Sequence, residues 1–411
     1  MLIAAARIIT AASPAGALAR GVAPVLAPGY VAWQDGRITA VGAGQPPSRL
    51  GKPEVLLADG VLLPGFVDLQ VNGYFGVEFS TADAAGWTTV LARLPATGTT
   101  ALLPTVITSP FDQMRAAVSR TAAILPGLAA TSGAAPAARV LGIHLEGPFI
   151  SKKRPGAHNP AWMLTPDSGR VDELLAAGSG LVRLVTLAPE LDGAMAAIKH
   201  LAASGVLVSV GHSDATAQQV SAAAMNGARM VTHLFNAQRP LGHREPGVVG
   251  QALTDERLTS GLIADLHHVA QAVCGLAFRA APGRIALVTD AVAAAGMPPG
   301  EYLLGGELIK LPAGDGAPPL RGDGTIAGSA LRMDRAVANA VRCGLSLPAA
   351  VAAATRIPAD LIGRPDLGRL RPGAAADLVW LSPELRTRAT WIAGRLVYTD
   401  GAADALAAVP A

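Results

Sequence analysis

The residues best suited to chemistry stand where apolar, strand-forming runs of this sequence end. The run VLGIHLEG (140–147) carries a carboxylate, Glu146, near its end. An ionised carboxylate is costly to bury unless it is paired or bound to a metal. His212 and His233 stand near the ends of two later runs and are 21 residues apart, which corresponds to one strand–helix–strand step. The three side chains are therefore candidate ligands of a single metal ion.

This ligand set is typical of a catalytic zinc ion, which usually has three protein ligands and one open position. We therefore predict one divalent metal ion per chain on Glu146, His212 and His233, with Zn²⁺ as the typical occupant. The alternative is that each histidine is an ordinary hydrogen-bonded residue, since the sequence has no short ligand motif such as HExxH. His144 lies on the same strand face as Glu146. A fourth ligand would close the site, which favours a supporting role for His144.

Asp290 is the candidate proton carrier, and it ends the run RIALVTD (284–290). A carboxylate beside a metal-activated water takes its proton and later delivers it to a leaving group. The competing hypothesis is a helix N-cap, which is a common role for Asp after a strand. The residue alone does not separate the two hypotheses.

Eight strand-like runs position these residues, and Ala-rich helical stretches separate many of them. Several runs are nearly continuous in apolar residues, which is typical of parallel strands covered on both faces. The alternation indicates an α/β fold, a (β/α)8 TIM barrel, whose active site lies at the carboxyl ends of the strands. Gln70 and His268 also stand near such ends. The strand runs span 62–70, 98–105, 140–147, 181–190, 206–214, 229–236, 259–268 and 284–290, and helical stretches include 191–204, 215–227, 330–344 and 347–356.

The two ends of the chain have a different pattern. Residues 30–42 indicate two strands around an Asp-Gly turn, and residues 377–400 indicate further strands. Neither end would form a stable sheet alone. We therefore predict a small, discontinuous β-sandwich domain, residues 1–61 and 366–411, beside a metal-dependent hydrolase barrel of residues 62–365.

One long segment, 296–324, is rich in Gly and Pro and follows the last strand run. We expect it to be irregular. It would either cover the rim of the barrel as a lid or be a solvated insertion.

The composition excludes several classes of protein. The chain is 51% hydrophobic and 15% charged, which excludes a disordered chain. Its net charge is +3, but Lys and Arg are scattered, so we expect no nucleic-acid partner. No uncharged apolar stretch reaches spanning length, so we expect no membrane partner. The two cysteines cannot form a disulfide framework. The N-terminal apolar stretch lacks a basic segment and is interrupted by Arg7. These features favour a cytoplasmic location over export.

Nine short segments surround the candidate residues: GFVDLQVNG (65–73), GTTALLPT (98–105), GIHLEGPF (142–149), PGAHN (155–159), GHSDAT (211–216), THLFNA (232–237), REPG (244–247), LVTDA (287–291) and AGS (327–329). Together, and in this order across most of the chain, they resemble the N-acetylglucosamine-6-phosphate deacetylase family of the amidohydrolase superfamily. No single segment is specific for that family, whereas the ordered set is.

The resemblance implies a role for each matching residue. It implies a metal, usually zinc, on Glu146, His212 and His233, with Asp290 as general base and then general acid. It implies that His158 polarises the acetyl carbonyl or holds the oxyanion. The residues implied to contact the substrate are Gln70, Ala157, His158, Asn236, Ala237, Arg244, His268, Ile326, Ala327 and Gly328, with Arg244 and His268 gripping the 6-phosphate.

The resemblance also bears on the number of metal ions. Many amidohydrolases carry His-x-His at the end of the first strand for a second metal, and we place Asp68-Leu69-Gln70 at that position. The glutamine form resembles the single-metal members of the family, and an amide oxygen is a poor ligand beside imidazole. The fourth run ends Ala188-Pro189-Glu190, without a lysine to be carboxylated, which argues against dinuclear dihydroorotase-like or hydantoinase-like chemistry.

These implications predict metal-dependent hydrolysis of the N-acetyl group of N-acetylglucosamine 6-phosphate to glucosamine 6-phosphate and acetate, by a homodimer. The sequence does not separate this small-molecule substrate from N-acetylgalactosamine 6-phosphate, which differs at one hydroxyl. An N-acyl amino acid hydrolase on the same barrel is a more distant alternative, against which Arg244 and His268 argue. A catalytically inactive sensor would need an altered metal shell or a missing base, and the sequence has neither.

Overall fold

The barrel strands lie where the sequence predicts them. The structure is a computed structural model that describes residues 1–11, 24–130, 137–314 and 316–401. In these ranges, eight parallel strands pair in chain order, each with the next, and the predicted TIM barrel is confirmed. Numbered in chain order, barrel strands 1 to 8 are Phe66–Val71, Thr99–Ile107, Ile143–Glu146, Val182–Leu187, Leu207–Val210, Ala228–Val231, Thr259–Leu262 and Ile285–Leu287.

Hydrogen bonds just beyond strand 8 close the barrel. The backbone N–H of Asp290 donates to Gln70 O at 2.9 Å, and that of Asn72 donates to Ala291 O at 2.7 Å. Gln70 and Asp290 are 220 residues apart in sequence, so only closure of the sheet makes them neighbours. Strands 1, 3 and 8 are buried at every position, because helices cover the outside of the barrel and side chains fill its interior.

Helices follow the strands, and polar caps fix where some of them begin. The Asp83 carboxylate accepts a hydrogen bond from Gly86 N at 2.8 Å, and Thr216 forms a capping box with Gln219. Each predicted helical stretch contains a helix. The α-helices of the described ranges are Ala84–Arg93, Phe111–Ala130, Ser168–Ala177, Ala194–Ala203, Ala217–Met225, Gly247–Thr254, Gln271–Ala280, Met333–Arg342, Leu347–Ala354 and Arg356–Leu361, and short 3-10 turns lie at Ser48–Leu50, Leu94–Thr97 and Pro160–Trp162.

Two sheets built from both ends of the chain pack face to face. The large aromatic side chains of Trp33, Trp380 and Trp391 lie in the core between them. Along the strand Leu378–Leu381, alternate side chains face this core and the barrel, because successive strand residues point to opposite faces. The predicted small β domain is confirmed. In spatial order, one sheet contains Arg37–Ala43, Gly29–Gln34, Leu2–Ala5 and Val55–Leu57, and the other contains Arg395–Thr399, Thr387–Ile392, Leu378–Leu381, Val61–Pro64, Ile8–Ile9 and Val25–Leu26.

The predicted Asp-Gly turn joins the first hairpin of this domain. Strands Gly29–Gln34 and Arg37–Ala43 are antiparallel, and both turn residues have positive φ, 50° at Asp35 and 73° at Gly36. Positive φ at both central positions is typical of a type I′ turn, which Asp-Gly favours.

The run 62–70 is two strands rather than the single strand that the sequence suggests. Val61–Pro64 pairs within the six-stranded sheet, whereas Phe66–Val71 is barrel strand 1. The chain crosses from the six-stranded sheet to the barrel at Gly65, where a Cβ atom would lie 2.1 Å from the hydroxyl oxygen of Thr100. Only glycine fits this close approach.

The expectation that 296–324 is irregular is wrong. Strands Gly300–Leu304 and Glu307–Leu311 form an antiparallel hairpin, and a second short hairpin, Gly73–Tyr74 with Val77–Glu78, follows barrel strand 1. The strand Arg139–Val140 pairs beside barrel strand 2. Composition misleads here because most of the Gly and Pro residues lie in the flanking turns, while the strands read GEYLL and ELIKL and contain a single glycine, Gly300.

The predicted boundaries of the two domains stay a prediction. Residues 12–23 and 402–411 of the proposed sandwich segments lie outside the described residues, as does much of the N-terminal stretch considered for export. None of the helices in the described ranges combines the length and the apolar character needed to cross a membrane.

We expect Leu378→Ala to lower the free energy of unfolding by ~2–5 kcal/mol, because it leaves a cavity in the sandwich core. Leu378 is fully buried, whereas Leu396 on the edge strand of the same sheet is 44% exposed. Leu396→Ala is the matched control and should change the unfolding free energy by less than ~0.5 kcal/mol. Urea unfolding measures both, and equal losses would contradict the assigned core.

Candidate metal centre and active site

Glu146, His212 and His233 converge at the carboxyl end of the barrel. Oε1 of Glu146 lies 3.2 Å from Nε2 of His212 and 3.0 Å from Nε2 of His233, and the two nitrogens are 3.1 Å apart. All three side chains are buried. They are the group in the described ranges whose ligand atoms lie close enough together to hold a metal ion.

The donor atoms of this triad fit a cation. Nδ1 of His212 lies 3.1 Å from the backbone oxygen of Arg154. A carbonyl oxygen only accepts, so Nδ1 carries the proton, and in a neutral imidazole Nε2 then presents a lone pair. That lone pair faces the Glu146 carboxylate and the His233 nitrogen. Electron pairs that converge in a buried site repel one another unless a positive charge lies between them.

The protonation states of the triad are coupled, and a bound metal ion would displace a proton held between its members. Burial raises the pKa of Glu146, but hydrogen bonds and the positive charge of His212 and His233 outweigh it and hold that pKa well below its usual range. Burial lowers the pKa of His233, but the hydrogen bond and charge of Glu146 outweigh it and raise that pKa. The pocket therefore keeps Glu146 ionised, as a metal ligand must be.

The two histidines of the triad and Asp290 have a left-handed backbone. The φ angles are 46° at His212, 27° at His233 and 51° at Asp290. Such conformations are unfavourable for residues with a Cβ atom and persist where the surrounding structure enforces them. Each of the three residues lies just beyond the end of its strand, so its side chain need not follow the strand alternation.

Hydroxyl groups beneath the triad hold His144. Its Nδ1 lies 3.2 Å from Thr105 Oγ1 and its Nε2 lies 2.8 Å from Thr186 Oγ1. Burial lowers the pKa of His144 to about 4, so the ring is neutral. Both nitrogens are thus engaged by hydroxyls, which favours the predicted supporting role over that of a fourth ligand.

Asp290 faces the same cavity, and two amides hold one of its oxygens. Gln70 Nε2 donates to Asp290 Oδ1 at 3.1 Å, and Asn72 Nδ2 donates to it at 2.7 Å. Gln70 Nε2 also lies 3.1 Å from Glu146 Oε1, so it bridges the two carboxylates. Burial, then the charge of Glu146, raises the pKa of Asp290 to about 7; a cation beside both carboxylates would act in the opposite direction.

The N-cap hypothesis for Asp290 does not hold. In the described part of the chain, the helix that follows Asp290 is Met333–Arg342, and its N-cap is Arg332. The Asp290 carboxylate accepts from side-chain amides, so its role lies in the site.

The pair of strand 1 residues at the site lies two positions later in the sequence than the pair Asp68 and Gln70 that the sequence analysis predicts. The Asp68 carboxylate points away from Glu146 and accepts from Thr289, from Oγ1 at 2.6 Å and from the backbone nitrogen at 3.2 Å. Gln70 and Asn72 therefore present their side chains at the site, in the place that the sequence analysis gives to Asp68 and Gln70. Burial raises the pKa of Asp68 to about 7. Asn72 was missed, although period-two alternation from Gln70 already places it on the same face.

His158 lies against the triad from a loop. Its Nε2 is 3.9 Å from Glu146 Oε2, and its ring packs edge-on against His212 with centroids 4.4 Å apart. Burial, then the charge of His212, lowers the pKa of His158 to about 3. The ring is therefore neutral, and its buried Nδ1 has no hydrogen-bond partner in the described ranges.

A cavity of about 300 Å³ opens over the triad, His158 and Asp290. This volume suits a small organic molecule. Gln70 reaches the site from below the cavity, and Ala327 is buried behind its wall. Among the other predicted residues, the lining includes Ala157, His158, Asn236, Ala237, His268, Ile326 and Gly328. The lining residues that the sequence analysis does not predict are Asn72, Ile107, Gly156, Ile263, Leu304 and Thr325. Apart from Asn72, the missed residues are mostly apolar and carry no chemical signal.

The two predicted phosphate ligands differ in their placement. His268 lines the cavity, and its Nδ1 lies 2.6 Å from Asp265 Oδ2, which leaves Nε2 for a ligand. Arg244 is exposed and outside the cavity lining, and it has no hydrogen-bond or ion-pair partner among the described residues. His267, beside His268, is exposed.

Comparisons with known proteins agree with this geometry. Residues 61–397 match the amidohydrolase family. An N-acetylglucosamine-6-phosphate deacetylase of Bos taurus is 40% identical over 352 residues, which cover 82% of this chain and 83% of that protein. The chain belongs to the N-acetylglucosamine-6-phosphate deacetylase family of amidohydrolases. The family resemblance inferred from the short segments is confirmed.

Two further members of this family are informative. An N-acetylgalactosamine-6-phosphate deacetylase of Escherichia coli O157:H7 is 39% identical over 339 residues, which cover 82% of this chain and 87% of that protein. A variant N-acetyl-D-glucosamine-6-phosphate deacetylase from Mycobacterium smegmatis, solved in complex with N-acetyl-D-glucosamine-6-phosphate, superposes with a TM-score of 0.87 at 38% identity, over 97% of this chain and 99% of that one. The fold is shared over almost the whole length of both chains.

We expect about one tightly bound divalent metal ion per chain, on the ligand logic of catalytic zinc sites. His212→Ala should lose the ion, because it removes a ligand. His200→Ala is the matched control, since His200 is exposed and pairs with Asp172 away from the site. Elemental analysis of the purified variants measures the bound metal.

Gln70→Ala should keep the ion, because Gln70 donates a hydrogen bond to Glu146 and does not serve as a ligand. Two tightly bound equivalents, both needed for activity, would show that the single-metal prediction is wrong.

Proposed function

We propose that this chain hydrolyses the N-acetyl amide of N-acetylglucosamine 6-phosphate, giving glucosamine 6-phosphate and acetate. The observation that carries the proposal is the meeting of a metal-binding triad and a separate, amide-held carboxylate, Asp290, over one cavity. Family membership and the names of the relatives support the substrate. A deacetylation assay across several N-acyl hexosamine 6-phosphates, with bound metal quantified on the same sample, tests it.

Glu146, His212 and His233 hold the metal, which we take to be one Zn²⁺ ion. A divalent ion bound there supplies Lewis acidity, which lowers the pKa of water and polarises an amide carbonyl. The three side chains also position the ion at the rim, where a substrate carbonyl enters from the cavity.

Asp290 moves the protons. Gln70 and Asn72 hold its Oδ1, which leaves Oδ2 directed to the reacting atoms. Asp290 takes a proton from the attacking water and then gives it to the departing amine nitrogen, which is otherwise a very poor leaving group. Neutral His158 donates a hydrogen bond to the carbonyl oxygen as its negative charge develops. Water is consumed, the C–N bond breaks, and the proton ends on the amine.

The remaining contacts hold the sugar phosphate. Asn236, Ala237 and Ala157 line the sugar site, with Ile326 and Gly328 over it and Ala327 behind them. His268 binds the 6-phosphate within the cavity. Arg244 is exposed and outside the cavity lining of its own chain. We propose a homodimer in which Arg244 completes the phosphate site of the second copy, and a cytoplasmic location for it.

N-acetylgalactosamine 6-phosphate is the second candidate substrate. The relative from Escherichia coli O157:H7, at 39% identity, carries that name. The two sugars differ at one hydroxyl, so the ratio of kcat/KM for the two substrates decides between them. An N-acyl amino acid would lack the phosphate that His268 and Arg244 are proposed to bind.

Asp290→Asn should lower kcat by at least ~10²–10⁴-fold, the usual loss on removing a general acid–base. Asparagine keeps an oxygen for the hydrogen bonds from Gln70 and Asn72, so the variant should fold. It should also keep its metal, because the triad is untouched. Steady-state kinetics, elemental analysis and thermal unfolding measure the three properties. Loss of metal together with activity would instead make Asp290 a ligand, and near-normal kcat would place the base elsewhere.

Arg244→Ala should mainly raise KM for the phosphorylated sugar, by about ten- to a hundredfold, because a charge-assisted contact contributes ~1.5–3 kcal/mol. The penalty should nearly vanish with unphosphorylated N-acetylglucosamine. Arg395→Ala, which removes an exposed cation from the small β domain, is the matched control. Equal penalties with both substrates would show that Arg244 has a structural role.

A further inference from the structure

The catalytic cavity has two unlike sides that face each other. On one side are Ile107, at the end of strand 2, and Leu304, from the hairpin. Ile107 pairs in register with Glu146 of strand 3, so the apolar side adjoins the metal triad. On the other side are Asn236 and His268, from the loops after strands 6 and 7. In an eight-stranded barrel, strands 2 and 3 lie opposite strands 6 and 7.

The apolar side is a fixed wall. Leu304 is 9% exposed and packs in a small core with Ile309 and Ala327. Gly305 N, in the hairpin turn, donates to the buried carboxylate of Glu78 at 2.9 Å. The same turn presses on Ile107, since a Cβ atom at Gly305 would lie 2.8 Å from Ile107 Cδ1.

A second anchor ties the hairpin to the loop of His158. Arg321 forms an ion pair with Glu307 of the hairpin and donates to the backbone oxygen of Ala157 at 2.7 Å. Backbone hydrogen bonds also join Lys310 and Leu320 in both directions, at 2.8 and 2.9 Å. A wall held from several elements resists displacement, so it limits the size of what fits against it.

The geometry of the substrate gives this wall a purpose. In an N-acyl hexosamine 6-phosphate, the amide on C2 and the phosphate-bearing carbon on C5 lie on opposite sides of the pyranose ring. If the phosphate lies toward His268, the alkyl end of the acyl group points toward strands 2 and 3. We infer that Leu304 and Ile107 form the acyl-chain pocket and restrict the enzyme to short N-acyl groups such as acetyl. This inference rests on the proposed function and adds the residues that select the acyl group.

The effect on specificity should be large enough to measure. One methylene more or less in a hydrophobic pocket changes kcat/KM by about 10- to 200-fold. The wild-type enzyme should therefore prefer N-acetyl- over N-propionylglucosamine 6-phosphate by about that factor. Truncating the wall should create room for the extra carbon and raise the propionyl-to-acetyl ratio of kcat/KM.

The experiment compares Leu304→Ala and Ile107→Ala with wild type on N-acetyl-, N-propionyl- and N-butyrylglucosamine 6-phosphate, using metal-loaded protein. Each variant should raise the propionyl-to-acetyl ratio by at least about tenfold. Leu303→Ala is the matched control, because Leu303 is the adjacent hairpin residue, is 54% exposed and lies outside the cavity lining. Its ratio should equal that of wild type.

The outcomes separate this inference from the proposed function. If wild type hydrolyses the N-acetyl substrate and the ratio is unchanged in both folded wall variants, the acyl-pocket assignment is wrong and the wall contacts another part of the sugar. If wild type hydrolyses none of the N-acyl sugar phosphates, the proposed function fails, and the assignment with it. Thermal unfolding identifies a variant that does not fold, and the other wall variant then decides.

Discussion

The burial of carboxylates at one end of the barrel is the constraint on which the rest of the site depends. Asp68, Glu146 and Asp290 are each at most 8% exposed, and the last two share a donor in Gln70. Burial raises the pKa of Asp68 and of Asp290 to about 7. Negative charge at this density is tolerated only where donors and positive charge surround it. The surrounding histidines, amides and hydroxyls meet that requirement through hydrogen bonds to the carboxylate oxygens.

The three carboxylates have different hydrogen-bond partners, and these partners indicate the role of each. Glu146 faces two imidazoles and stays ionised, which suits a ligand. Asp290 faces two amides, which orient one oxygen and leave the other for chemistry. Asp68 faces the hydroxyl and backbone of Thr289, directly before Asp290. It thereby fixes the strand end from which Asp290 projects, and it helps to close the barrel.

A layer of hydroxyl groups separates this charged site from the apolar interior. Thr186, Ser209 and Thr232 are buried, and the Thr232 hydroxyl oxygen lies 2.7 Å from that of Thr186 and 2.6 Å from that of Ser209. They satisfy each other and His144, so no buried polar atom of the layer is left without a partner. A fully bonded layer is rigid, and rigidity beneath the triad keeps the ligand atoms converged.

The sequence predicts the parts of the site that lie at or just beyond the strand ends. Apolar runs ending in Glu146, His212, His233 and Asp290 locate the strands, and the ends of parallel strands meet on one face of the barrel. Periodicity does not supply the register at the end of strand 1, because Asp68, Gln70 and Asn72 all share one face. The fold settles it: closure brings Thr289 to Asp68 and Asp290 to the two amides.

Two other features lie beyond periodicity for physical reasons. The hairpin Gly300–Leu304 with Glu307–Leu311 is short, and its flanking Gly and Pro residues hide it. Arg244 lies in the segment between strand 6 and the helix Gly247–Thr254, and connecting segments run over the surface and vary more than the elements they join. The residues of such segments carry no spacing that predicts where their side chains will lie.

In this cavity, the residues proposed for hydrolysis are distinct from those expected to select the acyl group and from those expected to select the sugar. The strand ends carry the triad and Asp290, so the chemistry belongs to the rigid barrel. The hairpin and Ile107 bound the side where the acyl group is inferred to lie. In the sugar, the hydroxyl that distinguishes glucosamine from galactosamine is on C4, next to the carbon that carries the phosphate arm. A site rejects the wrong isomer most strongly when it hydrogen-bonds the hydroxyl in question. With the phosphate at His268 as proposed, we expect sugar selection in the loops after strands 6 and 7, apart from the ligands of the metal.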